Sequence, residues 1–322
     1  MPLPELRNVP VLVTGGAGFI GSHLVDGLLE MGAVVRVLDN LATGSLQNLR
    51  HCESSIEFFE GDIRHLATCR DAVAGCHFVF HQAALGSVPR SVADPASSFE
   101  VNVQGTVHVF TAAQDAGVKR VIFASSSSVY GDSEVLPKRE GNEGQPLSPY
   151  AATKQIDETV AAVFAASYEL QSIGLRYFNI YGARQDPDGP YAAVIPRFFK
   201  AAFSGERMTI YGDGEQSRDF THVSDAVQAN LLAAGADAVA CGHAYNVAAG
   251  RASSVNALAT EVAKLCGTTS DPIYQPARPG DVRHSLADLS QTQAALDFQA
   301  VTPLGPGLAA AFDYYRSVLE TP

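Results

Sequence analysis

The chain has 322 residues, of which 46% are apolar and 17% charged, and its formal net charge is −12 at pH 7. That composition excludes a disordered chain and supplies apolar material for about two structural units of about 150 residues each. An acidic chain repels a polyphosphate backbone, which argues against nucleic-acid binding. A smaller phosphate-bearing ligand must be met by locally concentrated arginine, lysine or backbone N–H groups.

The five cysteines, Cys52, Cys69, Cys76, Cys241 and Cys266, are odd in number and form no CxxC pair. Reduced thiols are expected rather than a disulfide framework or a structural zinc site. No His/Asp/Glu spacing points to a metal. The N-terminal stretch MPLPELRNVP lacks a basic region, and the apolar run after it stops at Thr14-Gly15. Neither a signal peptide nor a membrane span is expected there, and a cytoplasmic protein is the expectation.

In chain order, Val9–Val13 reads as a first strand. It runs into Gly15-x-x-Gly18-x-x-Gly21, then into a helical pattern of Ile20, Leu24, Val25, Leu28 and Leu29 closed by Gly32. Val34–Leu38 follows as a second strand, ending at Asp39. In a strand–turn–helix unit of this kind the first glycine permits the tight turn. The second lets the backbone approach a pyrophosphate, and the third lets helix and sheet pack closely, with the helix N-terminus facing the phosphates. Asp39 lies 18 residues past Gly21. A carboxylate there suits a ribose 2′-hydroxyl and repels a 2′-phosphate, so NAD is expected rather than NADP.

Ile56–Phe59 is a third strand candidate before Gly61-Asp62-Ile63-Arg64. That loop either passes beside an adenine or starts a helix capped by Asp62. Phe78–Phe80 is a fourth, before Gln82-Ala83-Ala84, and Lys119–Ala124 a fifth, before the serine run Ser125–Ser128. Helical patterns occupy Phe99–Ala116 and Tyr150–Leu170. Strands alternating with helices predict a Rossmann-like, doubly wound parallel α/β sheet. After about residue 180 proline and glycine become denser, and the strand candidates Met208–Tyr211 and Ala244–Val247 are short. The expectation is a cofactor-binding domain over 1–178, with segments around 219–250 returning to it, and a smaller α/β substrate lobe over 179–322.

Tyr150-Ala151-Ala152-Thr153-Lys154 puts a tyrosine and a lysine on one helix face, 22 to 25 residues after the serine run. A free phenol is a poor base at neutral pH. A lysine cation about 4 Å away, at an effective dielectric of about 20, favours the phenolate by roughly 4 kcal/mol, against which desolvation acts. Together with Ser126, which would hydrogen-bond the same substrate oxygen, this is the Ser-Tyr-Lys set of a hydride-transfer enzyme.

On these motifs, and on Leu175-Arg176-Tyr177-Phe178-Asn179-Ile180-Tyr181-Gly182, nearly the whole chain resembles the extended short-chain dehydrogenase/reductase family, and within it the nucleotide-sugar 4-epimerases. Three longer strings sharpen the likeness: His81–Ser91, Gln185–Pro196 and Gly280–Asp288. They resemble bacterial UDP-N-acetylglucosamine 4-epimerases of the surface-polysaccharide type. The resemblance implies tightly bound NAD, proton removal by Tyr150, transient oxidation at the sugar C4, and return of hydride to the opposite face. Sister dehydratases carry Thr-Asp-Glu, and decarboxylases commonly Thr-Ser-Glu, where this chain has Ser126-Ser127-Ser128; those reactions fall behind.

The implied cofactor wall adds Phe19, Ile20, Asn40, Asp62, Ile63, Gln82, Ala83, Ala84, Asn102 and Tyr177 to the glycines, Asp39, Tyr150 and Lys154. The implied sugar pocket is bounded by Gly86, Ser126, Tyr150, Asn179, Ala193 and Ser290. Gly86 and a gatekeeping Ser290 leave room for an N-acetyl group, with Ser127 and Ser128 as its hydrogen-bond partners. Ser87 and Val194 join this wall, and Gln185 and Tyr211 line the nucleotide side. Arg218 and Arg283 are the expected diphosphate arginines, with Arg251 a further candidate; a planar guanidinium suits bidentate phosphate contact. His81 and His284 are expected to be packed or hydrogen-bonded rather than catalytic. In the resembling family two long apolar helices of each subunit form an intermolecular bundle, so the resemblance implies a homodimer. A mainly UDP-glucose 4-epimerase, a UDP-uronic acid 4-epimerase and a non-catalytic NAD sensor are the alternatives.

Overall fold

The structure is a computed structural model that describes residues 3–188, 192–277 and 282–319. The first apolar run forms β1 (Pro10–Thr14), buried in all but its first residue. It pairs in parallel with β2 (Val34–Asp39) on one side and β4 (Phe78–His81) on the other. β3 (Ile56–Glu60) continues from β2; β5 (Arg120–Ser126) and β6 (Ser172–Tyr177) continue from β4. β11 (His243–Val247) closes the far edge, giving the parallel order β11-β6-β5-β4-β1-β2-β3. Runs such as Val11-Leu12-Val13 and Phe78-Val79-Phe80 are apolar throughout because both faces of the sheet are covered.

On one face α1 (Phe19–Glu30) packs beside α8 (Val223–Gly235), with Val11, Val13, Leu24, Val25, Leu28 and Ala229 in the core between them and the sheet. On the other face lie α2 (Leu66–Val73), α5 (Gly105–Asp115) and α6 (Pro149–Tyr168), over Leu12, Val79, Phe110 and Phe123. The helix expected over Phe99–Ala116 is not one regular helix. After α3 (Val88–Ala93), α4 (Pro95–Phe99) meets α5 through a π turn at Glu100–Gln104. The π turn carries the fully buried Asn102, whose amide bonds the backbone of Leu85 and the hydroxyl of Thr153. Three polar bonds at one buried residue hold the irregularity in place.

The chain then builds a smaller lobe. α7 (Val194–Phe203), α9 (Val255–Leu265) and α11 (Leu304–Leu319) close on Tyr181, Phe198, Phe199, Leu258 and Tyr315. Short strand pairs frame it: β7 (Ile180–Tyr181) with β10 (Thr221–His222), β8 (Thr209–Tyr211) with β13 (Ile273–Gln275), and β9 (Ser217–Asp219) with β12 (Ala252–Ser254). The 219–250 segment contributes α8 and β11 to the large sheet, and α10 (Ser290–Leu296) packs against β11. Arg120, at the start of β5, anchors this return. Its guanidinium is buried and donates to the carbonyls of Ala233, Ala234 and Ala236 at the end of α8, a cation on the negative end of a helix dipole. No described helix is long and apolar enough to cross a membrane.

Candidate functional site

The strand order reverses between β1 and β4, and a cavity of about 640 Å³ opens there at the carboxyl ends of the strands. A second cavity of about 410 Å³ adjoins it; Gly86, Asn179, Ile180, Gln185 and Ala193 line both. The two make one trench between the large sheet and the smaller lobe.

The glycine turn forms the near end of the trench. Gly15 has φ +70°, and a methyl group on it would lie 2.7 Å from the Ala83 backbone. A methyl on Gly21 would overlap the Gly15 carbonyl. Both positions therefore demand glycine. α1 starts at Gly18 with no side-chain cap and no acidic residue in its first turn, whereas Ser148 caps α6 and Ser254 caps α9. Gly18, Phe19, Ile20 and Gly21, at this helix start, line the cavity. An uncapped helix start in a glycine cradle fits a pyrophosphate.

Asp39 closes this end. Its carboxylate accepts from Ala17 N–H at 2.9 Å and Leu41 N–H at 2.8 Å. Burial pushes its pKa up, against the lowering effect of the two amides. Asn40, Asp62 and Ile63 complete the wall. Asp62 is held well below the usual carboxylate range, chiefly by hydrogen bonds from Arg64. It does not cap the following helix. Its carboxylate accepts from Arg64 N–H at 2.8 Å, two residues on, and His65 stands at the cap of α2.

Ser126, Tyr150 and Lys154 all line the first cavity. Ser126 ends β5, and its Oγ accepts from Ser128 N–H at 3.1 Å. Tyr150 sits in the first turn of α6 after Ser148 and Pro149, with its N–H donated to Ser91 Oγ at 3.0 Å. Lys154 follows one turn later and is 3% exposed. Its Nζ donates to the Ala124 carbonyl at 2.9 Å and to Asp157 Oδ2 at 3.0 Å. Burial opposes its charge, but the Asp157 carboxylate and the Tyr150 phenol outweigh this and hold its pKa above the ordinary lysine value.

The inner wall is a closed triangle. Tyr177 donates its hydroxyl proton to Gln82 Oε1 at 3.0 Å, and Gln82 donates to Asn230 Oδ1 at 3.1 Å. Asn230 in turn donates to the Tyr177 oxygen at 2.7 Å. Burial pushes the Tyr177 phenol up to about 12. Ala83 and Ala84 continue this wall. Asn230, on α8, carries no motif in the sequence, and its role becomes visible only once α8 returns to the sheet. Asn102 lies behind the wall, where it pins Leu85.

The second cavity is lined by Ser87, Val194, Tyr211 and Arg218. Ser87 also caps α3 by accepting from Arg90 N–H at 3.2 Å. Arg218 reaches the Ser217 carbonyl at 2.9 Å and the Arg283 carbonyl at 3.3 Å. Arg197, which the sequence reading missed, lies over the Tyr211 ring at 5.7 Å and adds a second cation to this wall.

Among the described residues, several expected contacts are not brought to the trench walls. Arg283 points to solvent, 65% exposed at its side chain, and pairs with Asp213 at 2.9 Å. Arg251 lines a separate cavity of about 200 Å³ with Thr302 and Pro303. Ser290 opens α10, its hydroxyl donates to Asp288, and it is not among the residues that line either cavity. Ser127 and Ser128 turn away into a 3₁₀ turn that ends β5. Residues 189–191 of the string Gln185–Pro196 and residues 280–281 of the string Gly280–Asp288 lie outside the described residues.

His81 is packed, as expected. Its Nδ1 meets Thr14 Oγ1 at 2.7 Å and its Nε2 meets Thr106 Oγ1 at 2.9 Å, and burial pushes its pKa down to about 3. His284 meets Ser217 Oγ at 2.9 Å. Outside the trench, Asp26, His51 and Cys52 cluster, but the carboxylate is engaged by His51 at 2.7 Å and Arg184 at 2.8 Å.

The family profile of the NAD dependent epimerase/dehydratase family matches residues 11–248. A UDP-glucose 4-epimerase of Mycolicibacterium smegmatis is 38% identical over 315 residues, 95% of this chain and 98% of that protein. Two solved structures superpose closely. The UDP-N-acetylglucosamine 4-epimerase from Methanobrevibacter ruminantium M1, in complex with UDP-N-acetylmuramic acid, has a TM-score of 0.92 at 38% identity, covering 97% of this chain and 99% of that one. MoeE5 in complex with UDP-glucuronic acid and NAD has a TM-score of 0.87 at 40% identity, covering 96% and 99%. With a glycine cradle, Asp39 and a Ser-Tyr-Lys set on one trench wall, this chain belongs to the NAD-dependent epimerase/dehydratase family, as an enzyme of the extended short-chain dehydrogenase/reductase type.

Proposed function

We propose that the protein is a UDP-sugar 4-epimerase that interconverts UDP-N-acetylglucosamine and UDP-N-acetylgalactosamine. The observation that carries this reading is the open space at Gly86, where the two cavities meet. A methyl group there would touch nothing within 4 Å. Room beside the Ser126–Tyr150 pair is what an acetamido group at the sugar's 2-position needs.

NAD, when bound in the glycine cradle, supplies a reversible hydride acceptor. The chain supplies the rest. Ser126 holds the sugar 4-hydroxyl, Tyr150 takes its proton, and the Lys154 cation favours the phenolate. Arg218, with Arg197 beside Tyr211, provides cationic partners for the diphosphate in an acidic protein. Inversion requires the oxidised sugar to present its other face, and the continuous space past Gly86 and Ala193 gives it room to turn.

The named Mycolicibacterium relative favours a second reading, a mainly UDP-glucose 4-epimerase. Purified protein incubated with UDP-N-acetylglucosamine, without added NAD, and followed by NMR of the sugar protons separates the two. Appearance of UDP-N-acetylgalactosamine supports the first reading and a retained cofactor. Conversion of UDP-galactose alone replaces it with the second. A homodimer is part of this proposal: Val92, Phe99, Val163 and Tyr168 leave apolar surface exposed on the side of α3, α4 and α6. Sedimentation at a monomer's mass would remove that element.

A further inference from the structure

The mechanism leaves a buried charge beside Lys154 unused. Asp157 lies one turn after Lys154 on α6, and the two side chains are 1% and 4% exposed. Among the described residues Lys154 is the cation that meets the carboxylate, with the Thr106 hydroxyl of α5 beside it. Asp157 Oδ1 is buried without a hydrogen-bond partner. The nearby Thr106 hydroxyl proton is spent on the Asn102 carbonyl, and its oxygen meets His81 Nε2.

We propose that Asp157 is a positioning residue, the counter-ion that fixes the Lys154 ammonium one turn from Tyr150 and sets the acid limit of turnover. The inference rests on Tyr150 being the base.

Among the described residues Asp157 is the carboxylate that hydrogen-bonds the lysine, with the Glu158 carboxylate acting on it from further off. From β4, His81 is neutral, with both nitrogens hydrogen-bonded. From β5, Ala124 offers only its carbonyl. From α5, Thr106 is uncharged. Glu158, next on α6, is turned to Ser125 of β5 and to Arg176 of β6, which it meets at 2.7 Å. Burial pushes Asp157 up to about 6, while the Lys154 ammonium at 3.0 Å favours its ionised form.

The sign follows from counting charge. With the phenol protonated, the Tyr150–Lys154–Asp157 group is neutral, and losing one proton leaves it at −1 in a buried setting. With an amide in place of the carboxylate, the same loss takes the group from +1 to neutral. A low-dielectric site favours the neutral product, so the proton leaves at lower pH without the carboxylate. This holds whichever member of the pair releases it.

The test is the pH profile of kcat/KM for the NAD-loaded Asp157→Asn enzyme. The expected result is an acid limb displaced downward by about one pH unit, with turnover retained. An unmoved limb, an upward shift, or loss of turnover at every pH in folded, NAD-loaded protein overturns the proposal. Should the asparagine variant fail to fold, Asp157→Ser removes the same charge and faces the same criteria. In the wild-type holoenzyme, the ¹³C carboxyl resonance of Asp157 should report a carboxylate at pH 8, and a protonated carboxyl there also overturns it. Tyr150→Phe separates the two levels. Retained turnover sinks the base assignment itself, whereas a dead Tyr150→Phe beside an unmoved Asp157→Asn limb sinks only the counter-ion.

Discussion

The Asn230 amide donates to the Tyr177 hydroxyl at 2.7 Å across 53 residues of sequence, and its carbonyl accepts from Gln82 at 3.1 Å. A helix contributed by the second half of the chain thus sets two side chains of the cofactor wall. Asn230→Leu leaves both without their buried partner. The expected outcome is a loss of about 1–3 kcal/mol in unfolding free energy together with partial loss of copurifying NAD. Denaturant unfolding and nucleotide content after gel filtration check it.

Gly21→Ala places a methyl against the Gly15 carbonyl, where no flexible side chain exists to yield. α1 has to move away from the turn, at a cost of roughly 1–3 kcal/mol, and the cradle for the pyrophosphate is lost with it. Nucleotide released by acid from the purified variant should fall to background while the far-ultraviolet spectrum stays that of the parent.

Arg218 and Arg283 look equivalent in sequence, but only Arg218 borders the trench. Arg218→Met should raise KM for the UDP-sugar about 10- to 100-fold, the loss of one charge-assisted phosphate bond of roughly 1.5–3 kcal/mol. Arg283→Met should leave KM within about two-fold, since a solvent-exposed ion pair contributes little. Steady-state kinetics on both variants decide between the two assignments.

Ser290→Tyr should leave turnover of the N-acetylated substrate close to that of the parent, because the serine hydroxyl turns to Asp288 and not to the sugar pocket. A selective loss of N-acetyl turnover, with UDP-galactose turnover kept, would return Ser290 to the pocket wall.

His81 makes folding sensitive to acid. Its ring is neutral in the folded protein down to about pH 3, against an ordinary value of 6.5. Between those limits the unfolded chain binds a proton that the folded one refuses. Its contribution is therefore complete above pH 6.5 and is lost as pH falls toward about 3. Urea unfolding across this window should show a shallower pH slope for His81→Gln than for the parent.

Residue spacing alone determined the first half of this protein. Gly15, Gly18, Gly21 and Asp39, and then Tyr150 with Lys154, are close in sequence and sit on consecutive elements, so local periodicity and backbone demands identify them. Alternating strands and helices likewise dictate a doubly wound sheet, because buried parallel strands need apolar faces on both sides. Tertiary structure decided the rest. Asn230 joins the wall only because β11 and α8 return to the sheet, and Arg218 parts from Arg283 because β9 brings Arg218 to the trench while the loop that carries Arg283 leaves it in water. Ser290, carried over from the resembling family by position, donates its hydroxyl to Asp288, two residues before it. Asp157 is one turn from Lys154 on α6, but that the pair is buried together is decided by the strands and helices packed around it. Which side chains are buried together depends on which surfaces meet, and no period along the chain encodes that.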